Sequence, residues 1–163
     1  MRNLIFAVTS AAALTLLYCL SPQPVQADDM LAPFKRSDGK SGFVNSDHCW
    51  VIDPQFGDAD SFSEGLARVE LGNKWGFIDR SGQMVINPQF ERAHSFSEGL
   101  AAVKPGNKWG FIDRSGQMVI NPQFDGVFVN FSEGLARVEL GDDWYSINKQ
   151  GQILLDPTCV ARP

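Results

Sequence analysis

Asp47-His48-Cys49 places an acid, a base and a thiol in consecutive positions, the residue types from which nucleophilic catalysis is assembled. If that segment is extended, neighbouring side chains point to opposite faces and His48 cannot meet Cys49. It reads better as a turn followed by a structural cysteine. A metal site drawn from His48, Cys49, Cys159 and His94 has no ligand spacing in its favour, and no CxxC pair occurs among the three cysteines; neither a metal nor a cofactor is expected. Asp79 and Asp113, each followed by Ser-Gly at Ser81-Gly82 and Ser115-Gly116, could open a calcium loop. Calcium wants six to eight oxygens, whereas an Asp closing a short turn on its own backbone needs none beyond its carboxylate. Glu64, Glu98 and Glu133 recur in the same way and read as loop acids; a glycosidase-type acid would need a carboxylate partner at catalytic separation.

Trp75, Trp109 and Trp144 are the candidate binding residues. Ranged along one edge, their rings could stack on sugars or on an extended peptide, giving many weak contacts. Alternatively they fill the interfaces between structural units, as large aromatics commonly do, and the residue type favours this packed arrangement.

These positions recur because the chain repeats. Phe62-Ser-Glu-Gly-Leu-Ala returns at Phe96 and Phe131, Lys74-Trp-Gly-Phe-Ile-Asp at Lys108, and Asn87-Pro-Gln-Phe at Asn121; residues 62–95 and 96–129 are identical at 26 of 34 positions. The period is 34, then 35 after an insertion near Phe128. A partial unit, 43–61, precedes the two full ones (62–95 and 96–130), and a degenerate one, 131–157, follows. Loss of consensus at the ends is what capping requires, since an outermost repeat has solvent on one side. Residues 28–42 are expected as an N-terminal linker and 158–163 as a C-terminal tail.

Within a unit the local chemistry is β. Leu66–Leu71 alternates, with Leu66, Arg68 and Glu70 on one face and Ala67, Val69 and Leu71 on the other. Gly72-Asn73 suits a tight hairpin turn, Lys74–Asp79 returns, and Asp79-Arg80-Ser81-Gly82 turns again. Gln83–Ile86 makes a third strand, ended by Asn87-Pro88 because proline cannot donate to a ladder. The connector through Phe90 and Phe96, with its Ser-Glu-Gly segment, is expected as a helical turn or loop. Gly76 leaves room for a ring or a neighbouring backbone to come close. The expectation is an all-β protein of three-stranded meanders, stacked as an open array or wound as one coiled sheet. A meander this small cannot bury its own apolar face, so Trp75, Phe77, Val85, Phe90, Phe96, Leu100 and their repeats are the expected core.

The 163 residues carry 14 Lys+Arg against 19 Asp+Glu, a net of −5. No basic face is available for nucleic acid. Arg2, an uncharged apolar run from Leu4 to Leu20, the break at Ser21-Pro22-Gln23-Pro24 and the small residues of Val25-Gln26-Ala27 make residues 1–27 an expected signal peptide, cleaved between Ala27 and Asp28. The run falls short of the roughly 20 residues of a spanning helix, so no membrane attachment is expected after cleavage, and the destination is periplasmic or extracellular. There Cys49 and Cys159 could pair, tying the first unit to the last and adding roughly 4 to 5 kcal/mol if their Cα atoms come within about 7 Å. Otherwise both thiols stay free.

The Lys-Trp-Gly-Phe-Ile-Asp core, a following glycine and apolar triplet, Pro-x-Phe and Phe-Ser-Glu-Gly-Leu-Ala closely resemble the WG-repeat, or KWG-repeat, family of bacterial proteins over about 43–157. The resemblance implies tandem β-rich repeats, frequent export, no established catalytic activity and a role in interaction. The end units depart from it: Tyr145 follows Trp144 where glycine would stand, and the first unit has no counterpart of Trp75, because Trp50 aligns with Met84.

Near-identical copies do not supply the asymmetric convergence of groups that catalysis needs, and whole units are replicated, turns included, without a unique polar cluster. The functional expectation is therefore a non-enzymatic module binding protein or polysaccharide of the cell envelope through equivalent positions of successive units. The alternatives are a secreted hydrolase, or hydrolase accessory, using Asp79/Asp113 or Glu64/Glu98, and a spacer without ligand.

Overall fold

A computed structural model describes residues 30–154. Fifteen strands and no helix occur among them: β1 Ala32–Lys35, β2 Ser41–Val44, β3 Trp50–Phe56, β4 Asp58–Ala59, β5 Leu66–Leu71, β6 Lys74–Asp79, β7 Met84–Phe90, β8 Arg92–Ala93, β9 Leu100–Lys104, β10 Trp109–Asp113, β11 Met118–Phe124, β12 Gly126–Ser132, β13 Leu135–Leu140, β14 Asp143–Asn148 and β15 Ile153–Leu154. They form four separate antiparallel sheets in chain order, β1-β2-β3, β4-β5-β6-β7, β8-β9-β10-β11 and β12-β13-β14-β15. The array is open, not one coiled sheet, and no sheet closes into a barrel.

The meander expected from each unit is present, and the connector adds to it. Asp58-Ala59 pairs with Glu70 and Val69, and Arg92-Ala93 with Lys104 and Val103, so the second and third sheets are four-stranded, each taking a two-residue first strand from the end of the preceding unit. The Ser-Glu-Gly segment is neither a helical turn nor an irregular loop. Ser63 and Leu66 exchange both backbone hydrogen bonds, at 2.8 and 3.0 Å, around Glu64 and Gly65 with φ of 52° and 83°. That is a two-residue hairpin with both central residues left-handed, the turn whose twist matches paired strands.

The third strand runs through its proline instead of stopping before it. In the β6–β7 ladder Trp75 faces Phe90, Phe77 faces Ile86 and Ile78 faces Met84, so Asn87-Pro88-Gln89 arches over the single residue Gly76. Proline is tolerated there because the arch takes it out of the ladder. A β-carbon on Gly76 would lie 2.5 Å from the Ile86 carbonyl oxygen and 2.7 Å from Pro88 N, and the same clash recurs at Gly42 and Gly110. The glycine after tryptophan is thus required by close approach of backbone. The second irregularity makes Val85 the extra residue between Met84 and Ile86. It sits on the solvent side, 43% exposed, while Ile86 is buried; the expectation of Val85 in the core is corrected.

Three cores lie at the three boundaries between the four sheets. Leu31, Phe43, Ile52 and Phe56 meet Ala67, Val69 and Ile78. Leu66, Phe77, Ile86 and Phe90 meet Phe96, Ala101, Val103 and Ile112. Leu100, Phe111, Ile120 and Phe124 meet Phe131, Ala136, Val138 and Ile147. An inner strand therefore serves two cores: alternate residues face the preceding and the following sheet, as the period of two dictates. The same ring pair recurs at each boundary, Phe43 with Phe62 and Phe77 with Phe96 at 4.8 Å, and Phe111 with Phe131 at 5.1 Å.

Candidate functional site

The short connector strand β8 lies at the boundary between the second and third sheets, where a groove of about 420 Å³ opens. Trp75 from β6 and Trp109 from β10, equivalent residues of successive repeats, form two of its walls. Arg68, Glu91, Arg92, Ala93 and His94 supply the rest. Arg68 leaves β5 with its guanidinium 4.4 Å from the centroid of the Trp75 ring, within cation–π range. Asp60 holds its Nε at 2.5 Å, and its Nη1 donates across the boundary to the carbonyl of Ala93. His94 packs on the Trp109 ring with centroids 4.9 Å apart. Asn130 orients the imidazole: its Nδ2 donates to the Ser95 carbonyl at 3.1 Å, so its Oδ1 accepts from His94 Nδ1 at 3.1 Å. That bond places the proton on Nδ1 and leaves Nε2 of the neutral ring as an acceptor. Burial lowers the His94 pKa, with the Asn130 bond opposing and the nearby Arg68 charge reinforcing the shift.

The three tryptophans occupy three environments. Trp109 is a core residue, 7% exposed; Trp75 is half-buried beneath Arg68; Trp144 is 42% exposed against Phe128, rings 5.7 Å apart. Phe128, Arg137 and Trp144 line a second, smaller hollow of about 320 Å³. Packing accounts for Trp109, and for Trp75 in part, but not for Trp144.

The sequence reading missed the polar cluster of Arg68, Arg92 and His94, and the expectation that no such cluster exists is corrected. A signal was available. Copies 62–95 and 96–129 differ at eight positions, 68, 70, 71 and 91–95, and five of the seven groove residues fall among them. The scaffold is repeated and the groove lining is individual.

The repeated acids are occupied by structure. Asp79 Oδ1 accepts from the Ser81 hydroxyl at 2.6 Å and from the Ser81 and Gln83 amides at 2.9 and 3.0 Å; Asp113 does the same with Ser115 and Gln117. Led by the serine hydroxyl, these bonds hold both carboxyls below their ordinary pKa. Glu64 accepts from the Gly99 amide and Glu98 from the Gly134 amide, each at 2.9 Å and each in the following repeat. The Lys149 ammonium, 3.1 Å away, is the main cause lowering the Glu98 pKa. A general acid at neutral pH requires the opposite shift.

Asn45 accepts from the Asp47 and Cys49 amides at 3.1 and 2.9 Å, and His48 has a φ of 60°, so Asp47-His48-Cys49 is a turn. Cys49 is buried and disulfide-bonded; Cys159 lies outside the described residues, as do Ala27, Asp28 and the expected leader. Among the described residues no group of three or more His, Cys, Asp or Glu is placed to hold a metal, and no helix is long and apolar enough to cross a membrane.

No curated protein and no solved structure matches the chain significantly. A family model, WG containing repeat, matches residues 42–75, 75–109 and 109–144, frames that begin or end on the Trp-Gly positions whose glycines underlie the proline arches. With three tandem copies spanning well over half its length, the chain belongs to the WG containing repeat family.

Proposed function

We propose that this chain is an exported, non-enzymatic interaction module that binds a component of the cell envelope, protein or polysaccharide, through the groove between its second and third sheets. The observation that carries the proposal is the coincidence of groove and divergence: the copies keep turns, arches and core almost unchanged and differ mainly where Arg68, Glu91, Arg92, Ala93 and His94 line the opening. A spacer without ligand gives no reason for that concentration. The hydrolase alternative would need a carboxylate able to gain and lose a proton near neutrality, and Asp79, Asp113 and Glu98 are shifted the other way.

The test is co-sedimentation of the full chain with cell-wall fragments and with envelope protein extract, beside Arg92→Glu. Arg92 is exposed, so the substitution leaves the cores intact, which circular dichroism checks. Retention of the parent chain and its loss in the variant supports the proposal. Equal retention of both, or polymer turnover abolished by Asp79→Ala, contradicts it.

A further inference from the structure

We infer that the groove between Trp75 and Trp109 takes an acidic saccharide, its carboxylate held at Arg92 and its hydroxyls by His94, Glu91 and Arg68. The inference rests on the interaction-module reading and names its ligand class.

The charge pattern points to an anion. Arg92 stands directly opposite Lys104 in the β8–β9 register, a like-charge pair that weakens a two-residue strand. The corresponding pair in the preceding sheet is Asp58 opposite Glu70, so the positive spot is particular to this groove. Arg92 makes no ion pair among the described residues. An exposed guanidinium without a carboxylate, on a chain of net charge −5, is suited to bidentate capture of one from outside.

The remaining lining suits a polyol. A sugar hydroxyl both donates and accepts, so its site needs both kinds of group. Glu91 and the Nε2 of His94 accept; Arg68 has five N–H donors, of which the bonds to Asp60 and Ala93 use two. Trp75, half-buried with the Arg68 guanidinium over its ring, and Trp109 wall the groove on either side. The volume of about 420 Å³ lies within the range of small-ligand sites.

An acidic peptide is the competing ligand, and the edge of β8 argues against it. Peptide capture at a sheet edge uses free backbone groups, but here Arg68 already occupies the Ala93 carbonyl, and two residues of strand give little to pair with.

Trigalacturonate, neutral cellotriose and tetraglutamate, titrated separately into the full chain, are followed by the indole N–H signals of Trp75 and Trp144 and the ring signals of His94. Trigalacturonate is expected to move Trp75 and His94 and leave Trp144 still, with affinity falling at least about tenfold in Arg92→Ala through loss of the charge-assisted pair. The same variant leaves any weak cellotriose binding unchanged. Trigalacturonate binding indifferent to Arg92→Ala overturns the inference, and so does tetraglutamate moving the same signals more strongly. Silence of trigalacturonate at Trp75 and His94 while the parent chain still sediments with envelope in an Arg92-dependent manner removes the saccharide and keeps the interaction module. Silence together with no sedimentation removes both.

Discussion

The hydroxyl of Ser97 donates to the backbone carbonyl of Phe131 at 2.7 Å, and 34 residues earlier Ser63 does the same to Phe96. Each bond crosses from one repeat to the next and is accompanied by a second, donated by the glycine amide of the following repeat to the glutamate carboxylate, Gly99 to Glu64 and Gly134 to Glu98. The Ser-Glu-Gly turn therefore closes its own hairpin and also fixes the register of the stack. Ser97→Ala leaves a part-buried carbonyl without its donor and is expected to destabilise the chain by about 1 to 2 kcal/mol, read as a lower urea midpoint at unchanged slope. An unchanged midpoint would remove the turn from the account of stacking.

The Trp-Gly pair has a sharper signature. Gly76→Ala would force the Ile86 carbonyl away from a contact of 2.5 Å, and with no flexible side chain to yield it should cost at least about 1 to 3 kcal/mol. Gly106, which has nothing within 4 Å of a built β-carbon, is the control, and Gly106→Ala should stay within about 0.5 kcal/mol of the parent. Thermal or urea unfolding compares the two. Equal effects would mean that the arch moves aside.

That glycine was legible in the sequence, and so were the Asp79 and Asp113 turns, because each is a local requirement of one residue type. Val85 and Ile86 were not separable, since the irregularity that turns one out and the other in depends on pairing with β6. The strands β4 and β8 that complete the second and third sheets were hidden because two residues carry no period. The groove was hidden for a different reason. Arg68 stands on the second sheet and His94 follows the first strand of the third, and Asn130, which orients His94, lies 36 residues away; only the clustering of differences between two near-identical copies marks the place.

The tryptophans should report their three environments separately. Trp144 and Trp50 are exposed and Trp109 is buried, so iodide should quench the red-shifted part of the emission first. Trp109→Phe should remove mainly the blue, unquenched part, and Trp144→Phe mainly the accessible part. The reverse assignment would place the Trp109 ring in solvent and dissolve the groove wall.

The pH dependence has a determined sign. Burial favours neutral His94 in the folded chain, lowering its pKa from 6.5, so the unfolded chain binds the proton more readily. Stability from this group is fully present above 6.5 and is lost as pH falls through that value toward the lowered one. Arg68 and Asn130 face the imidazole beside Trp109, and the arginine charge adds to the cost of protonation. Asp79 and Asp113, lowered from 3.8, act in the same direction further down: their contribution is present above 3.8 and lost below it. Urea midpoints should therefore begin to fall on acidification below about pH 6.5, and His94→Gln should delay the fall to the carboxylate range. A midpoint that rises on acidification from neutral pH would contradict the buried, neutral imidazole.

The inner sheets are buried on both faces by their sequence neighbours. Amide hydrogen exchange of the full chain, with and without Phe111→Ala, addresses that directly. Phe111 is fully buried and packs on Phe131 of the following repeat, so the truncation, costing about 3 to 5 kcal/mol, should lower protection at Ala136 and Val138 of the last sheet as well as at Ala101 and Val103 of its own. Loss of protection confined to β9–β11, with the neighbouring sheets untouched, would show units that fold alone and contradict the shared cores.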